Sequence, residues 1–128
     1  MAIDYAGRAR ALVGTRFRPQ GRDSNGLDCI GVVLATFDIP VADVPRDYQL
    51  RGRRKQELVD GLGRVFRKVR QLRPGDVIVM EPAAEQLHLA VLTDAGFVHA
   101  HAGLRRVVET AGMPEWPVIG IYRKRAKA

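Results

Sequence analysis

The 128-residue chain carries one cysteine and three histidines, and their placement suits thiol chemistry. The cysteine lies in Gly26-Leu27-Asp28-Cys29-Ile30-Gly31-Val32-Val33. Turn formers, Gly21-Arg22-Asp23-Ser24-Asn25-Gly26, precede it, and an apolar run, Ile30 to Phe37, follows. The pattern predicts a loop ending at Asp28 and a buried helix from about Cys29 to Phe37. A thiol in the first helical turn meets backbone N–H groups and the positive end of the helix dipole, which favour its anion. The plainer alternative is a structural cysteine buried for its apolar character. All three histidines fall in the second half. His88 interrupts an apolar stretch, where a titratable ring needs a reason to be buried. His99 follows eleven residues later, with Asp94-Ala95-Gly96 as a turn between them. A hairpin folded there sets the two rings on adjacent strands, where one can orient the other. A nucleophile, a base and a group that orients the base are the three parts that thiol-based acyl transfer needs.

The elements that must hold these groups are legible in outline. Residues 3–13 read as a first helix capped by Asp4, with Tyr5, Ala9, Leu12 and Val13 inward and Gly14 as its stop. Pro40 and Pro45 mark a connector. Leu58, Leu62, Val65, Phe66 and Val69 fall at helical spacing and predict a third helix over about 53–69, although Gly61 and Gly63 each cost about 1 kcal/mol there. After the turn Arg73-Pro74-Gly75-Asp76 come short strands at Val77–Met80, Leu87–Leu92, Phe97–His101, Leu104–Val108 and Val118–Tyr122. Helices first and strands afterwards predict an α+β domain spanning 1–128, with N-terminal helices packed on a mostly antiparallel sheet of five or six strands.

Composition narrows the classes. The chain is 46% hydrophobic and 27% charged, ordinary values for a globular domain. No apolar stretch reaches the roughly 18 residues of a membrane span. Met1-Ala2-Ile3-Asp4-Tyr5 lacks a basic region followed by an apolar run, so the expectation is synthesis in the cytoplasm without a signal peptide. One cysteine excludes an internal disulfide and a multi-cysteine zinc site. A mixed set of Cys29, His88, His99 and His101 lacks the short local spacing of structural zinc, and no cofactor is expected. The net charge of +7 is concentrated in Arg51-Gly52-Arg53-Arg54-Lys55, in Arg64, Arg67, Lys68 and Arg70, and in Arg123-Lys124-Arg125-Ala126-Lys127. Such clusters attract anionic polymers, while a solvated helix face with a frayed tail explains them as well. Nucleic acid is not an expected partner.

Four segments resemble, in order, the motifs of the NlpC family of papain-like cysteine peptidases. Asp28-Cys29-Ile30-Gly31 is similar to its Asp-Cys-Ser-Gly nucleophile motif. Pro74-Gly75-Asp76-Val77-Ile78 resembles its Pro-Gly-Asp strand opening, His88-Leu89-Ala90-Val91-Leu92 its His-Val-Gly-Ile-Tyr strand, and Phe97-Val98-His99-Ala100 its Ile-His-Ala strand. The likeness covers roughly residues 5–123. It implies a papain-like NlpC-type fold with Cys29 as nucleophile, His88 as base and His99 orienting His88. His101 would face the same way as His99 along a strand and is the alternative third member. Asp28, Phe17 and His101 would border the substrate and the oxyanion. Phe17 stands where many relatives carry a tyrosine, and a missing oxyanion donor costs about 100-fold or more in rate.

A narrower resemblance, through Gly14-Thr15-Arg16-Phe17-Arg18-Pro19-Gln20-Gly21-Arg22 and through Arg106-Val107-Val108-Glu109, Trp116 and Ile121-Tyr122-Arg123, is to the phage-type branch of that family. It implies a component of a phage or gene-transfer-agent tail tip that cuts the peptide stems of peptidoglycan and contacts other tail-tip proteins. The competing readings are a catalytically weak structural tail-assembly protein that retains the peptidase fold, a basic polymer-binding module, and an amidase or acyl transferase.

Overall fold

A computed structural model of the chain describes residues 3–18, 22–23, 26–40, 53–83 and 86–125. Among the described residues, three helices, α1 (Tyr5–Arg10), α2 (Cys29–Phe37) and α3 (Arg53–Val65), accompany eight strands, β1 (Arg22–Asp23), β2 (Gly26–Leu27), β3 (Phe66–Val69), β4 (Val77–Ala83), β5 (Gln86–Leu92), β6 (Gly96–His101), β7 (Arg106–Ala111) and β8 (Val118–Lys124). The strands β3 to β8 form one six-stranded sheet in the order β3-β8-β4-β5-β6-β7, with every pair antiparallel. The architecture is the expected α+β one.

The helix α2 sits at the centre of the main core. Its apolar run leaves almost no polar face, and eight of its nine residues are buried. It packs on β5 and β6, and α1 packs on it in turn. Its side chains join Val77, Val79, Leu87, Leu89, Val91, Val98, Ala100 and Val107 in one cluster. Aromatic contacts tie the periphery to it. Tyr5 of α1 meets Phe37 at 4.5 Å between centroids, and Phe37 meets Phe66 of β3 edge-on at 4.9 Å.

Turn chemistry fixes the entry to β4. Pro74 and Gly75 occupy the central positions of the Arg73–Asp76 turn, closed by Asp76 N–H donating to the Arg73 carbonyl at 3.0 Å. Gly75 has φ +93°, which a type II turn demands of its third residue. Asp76, 1% exposed, accepts from Arg123 Nε and Nη2 at 2.9 Å each and from the Arg73 N–H at 2.9 Å. Arg123 also donates to the Gln71 carbonyl at 3.0 Å. A planar guanidinium thus clamps the start of β4 to β8. Arg123 is a structural residue and not part of a frayed tail.

Several boundaries differ from the sequence reading. The first helix stops at Arg10 rather than 13, and Val13 is exposed. Leu12 and Val13 make tight i→i−3 bonds, and Gly14, at φ +94°, donates to the Val107 carbonyl at 2.8 Å. The sheet edge draws the chain out of the helix there. The third helix ends at Val65, and 66–69 forms β3 against β8, since Phe66, Arg67, Lys68 and Val69 find backbone partners on that strand. The strand expected at 104–108 begins only at Arg106, because residues 102–105 turn and Arg105 takes φ +58°. Arg51, Gly52, Pro45 and the last three residues lie outside the described residues.

Replacing Asp76 by alanine leaves the Arg123 guanidinium without its carboxylate and the Arg73 N–H without its acceptor. The expected loss is about 3 kcal/mol in urea unfolding, with a loss under 1 kcal/mol showing that the clamp is dispensable.

Candidate active site

Asp28 starts α2. With extended backbone (φ −98°, ψ −173°), it accepts the Gly31 N–H on Oδ1 at 2.6 Å, as a helix N-cap does. Cys29 is the first helical residue and is buried. The chain reaches it along the β7 edge of the sheet. Gly14, Thr15 and Phe17 exchange backbone bonds with Val107 and Arg105 of that edge, and Leu27 N–H donates to the Arg16 carbonyl at 2.9 Å. Phe17 therefore lies beside Leu27, two residues before the cysteine, and packs against the main core.

The strands β5 and β6 carry the histidines. Side chains alternate along β5, so Leu87, Leu89 and Val91 enter the main cluster while His88 shares the opposite face with Ala90. On β6, Val98 and Ala100 enter that cluster, and Phe97 and His99 take the second face. The connecting turn is a two-residue Asp94-Ala95 loop held by Thr93, whose Oγ1 accepts the Ala95 and Gly96 N–H groups and donates to Glu109 at 2.6 Å. Gly96 is required there, since a Cβ would lie 1.8 Å from the Thr110 carbonyl oxygen.

The two strands are registered as Val91↔Val98 and Leu92↔Phe97, next to the turn. Continued unbroken, that register would set His88 opposite His101. Instead His88 Nε2 lies 3.0 Å from His99 Nδ1. The expected imidazole pair is present, and His99 rather than His101 is the partner. His101 Nδ1 instead accepts the Leu104 N–H at 3.1 Å, although its ring also flanks His99 at 5.7 Å.

Two contacts go beyond the sequence reading. His99 Nε2 lies 3.0 Å from Thr110 Oγ1 of β7, and the Trp116 ring stands edge-on to His88 at 5.4 Å. Thr110 follows His99 by the same eleven-residue offset that separates the two histidines, which is the one cue the sequence offers. Trp116 sits on the β7–β8 connection, whose path local patterning leaves open. Among the described residues, no group of three or more His, Cys, Asp or Glu side chains is placed to hold a metal ion, and no helix is long and apolar enough to cross a membrane.

Burial dominates the electrostatics of the pair. It pushes His88 down to about 4, with His99 and His101 adding to the shift, and His99 down to about 4, with His101 adding. Both rings are neutral at pH 7. In the unfolded chain each takes its proton near 6.5. Between about 4 and 6.5 the unfolded chain therefore binds more protons, and stability rises with pH through that window. Thermal midpoints should fall as pH drops from 7 to 4, and the fall should be shallower in a His88→Gln, His99→Gln double variant. An equally steep fall in that variant would assign the acid sensitivity to other groups.

No family model matches the chain, and no curated protein matches it. Solved structures do. NlpC1 from Trichomonas vaginalis superposes with a TM-score of 0.70 at 17% identity, over 96% of this chain and 44% of that one. NlpC2 from the same organism gives 0.70 at 18% identity, over 94% and 45%. This chain thus spans less than half the length of either protein. The NlpC/p60 domain of the peptidoglycan hydrolase SagA gives 0.56 at 19% identity, over 84% of this chain and 86% of that domain. The chain has the α+β, papain-like fold of NlpC/p60 domains.

Proposed function

We propose that this domain is a cysteine peptidase that hydrolyses amide bonds in the peptide stems of peptidoglycan. The observation that carries the reading is the His88–His99 hydrogen bond on β5 and β6, two strands whose other face packs against α2, the helix that opens with the chain's single cysteine. The likeness of fold to the NlpC/p60 domain of a peptidoglycan hydrolase supports the substrate class.

In this reading His88 acts through Nδ1, since its Nε2 faces His99. The Cys29 thiol proton passes to Nδ1, and the sulfur attacks the amide carbon to give a tetrahedral oxyanion. Collapse breaks the C–N bond, and the proton on His88 goes to the departing amine. A water, deprotonated by His88, then hydrolyses the thioester, which yields a carboxylate and restores the thiol. First-turn amides of α2 are the natural oxyanion donors. The Gly31 N–H, already held by Asp28, is not among them, and Phe17 has no hydroxyl to add. The Trp116 ring forms an aromatic wall against the base.

The setting is the finer part of the proposal. The resemblance of Gly14–Arg22 and Arg106–Glu109 to phage-type relatives supports a tail-tip component of a phage or gene-transfer-agent particle, made in the cytoplasm and carried to the wall by that particle. The missing Phe17 hydroxyl favours the second reading, a catalytically weak tail-assembly protein.

Mass spectrometry of muropeptides after incubation with the protein separates the two. Cys29→Ala and His88→Ala should each reduce cleavage by several orders of magnitude, and His99→Ala by less. His101→Ala should stay near the parent activity. Cleavage surviving in Cys29→Ala would end the peptidase assignment. The acid limb of kcat/KM should lie below 6.5, because His88 stays unprotonated to lower pH than a free imidazole. Proteomics of purified particles tests the setting, and absence of the chain from them would remove it.

A further inference from the structure

The histidine pair does not end at His99. Its far nitrogen reaches Thr110 on the next strand, so His88 Nε2, His99 Nδ1, His99 Nε2 and Thr110 Oγ1 form a line with two 3.0 Å links. A neutral imidazole carries one N–H, and each link needs one donor and one acceptor. Only two arrangements satisfy both links. In one, each ring is protonated on Nε2, so His88 donates to His99 and His99 donates to Thr110. In the other, the Thr110 hydroxyl donates to His99, His99 donates from Nδ1 to His88, and His88 carries its proton on Nδ1. The second arrangement blocks the nitrogen that must accept the thiol proton. The first leaves it open and places both rings in the tautomer that free histidine prefers.

We propose that Thr110 is a positioning residue that accepts a hydrogen bond from His99 Nε2–H and thereby keeps His88 Nδ1 unprotonated for Cys29. The role rests on the peptidase reading above. Among the described residues, the Phe97 and His101 rings lie tilted against the His99 ring, at 4.8 Å and 5.7 Å between centroids. Thr110 is exposed on β7, so its own proton can point to water while its oxygen accepts from the ring. Orienting groups of this type act through the tautomer of the base, and a wrong tautomer costs up to about 10⁴ in kcat.

The test uses Thr110→Val, which keeps the β-branched shape and removes the acceptor, and Thr110→Ser, which keeps it. Long-range proton–nitrogen NMR at pH 7 reports the tautomer of each ring. The expected result is Nε2–H on both histidines in the parent and in Thr110→Ser, and a mixed or inverted state in Thr110→Val. On a soluble stem peptide, Thr110→Val should lose at least about tenfold in kcat with little change in KM, and Thr110→Ser should restore it. A parent protein with His99 protonated on Nδ1 would overturn the proposal. So would a Thr110→Val variant with unchanged tautomers and kcat, while parent hydrolysis leaves the peptidase reading intact. Tautomers that respond as expected in a protein that cleaves nothing would refute the peptidase reading and keep the positioning role of Thr110.

Discussion

A helix with eight of nine residues buried has no solvent face to rest on, and that constraint shapes the molecule around α2. Ile30, Val32, Val33, Leu34 and Phe37 together gain on the order of 10 kcal/mol if fully covered. Ordering nine backbone residues costs a comparable amount. The helix therefore exists only where the sheet and α1 cover it. The same covering fixes the first turn, which the Asp28 cap then terminates within one residue of Cys29. Position of the thiol is thus a by-product of burying the helix.

The sheet side needs its own fastening, because its strand order is not sequential. β8, the last strand, lies between β3 and β4. Val77 pairs with Val91 on one side and with Tyr122 on the other, so the first residue of β4 joins both neighbours. The Asp76–Arg123 clamp sits next to that residue. The Pro-Gly-Asp motif therefore has a double physical role. Pro74 and Gly75 set the turn, and Asp76 holds the terminal strand beside it. On the opposite side, Arg10 bridges Asp94 and Glu109, linking α1 to the β5–β6 turn and to β7. Arg10 and Asp94 are solvent-exposed and Glu109 is half-buried, and such surface pairs contribute little. The buried carboxylate of Asp76 matters far more.

Burial also sets the character of the two imidazoles. A desolvated ring disfavours its charged form, and neighbouring rings add to that, His99 and His101 for His88 and His101 for His99. The protein accepts acid sensitivity in return for rings that stay neutral, fixed in orientation and linked to a third strand. The abrupt end of the β5–β6 ladder beyond Val91 and Val98 goes with this pairing, since an unbroken register would have matched His88 with His101.

The sequence by itself determined what local chemistry can encode. The limits of α2 at Cys29 and Phe37 follow from turn formers, a capping aspartate and an apolar run, and the structure keeps both. The hairpin that joins His88 to His99 follows from two apolar stretches about a short polar turn. Tertiary structure decided the rest. Phe66 and Val69 fit helical spacing as well as a strand, and only the open edge of β8 made them β3. His101 and His99 are equivalent by alternation, and only the early end of the ladder selected His99. Thr110, Trp116 and the Asp76–Arg123 clamp depend on which strands become neighbours. That choice is made by burying α2 and by satisfying backbone groups between segments distant along the chain, interactions that no local pattern records.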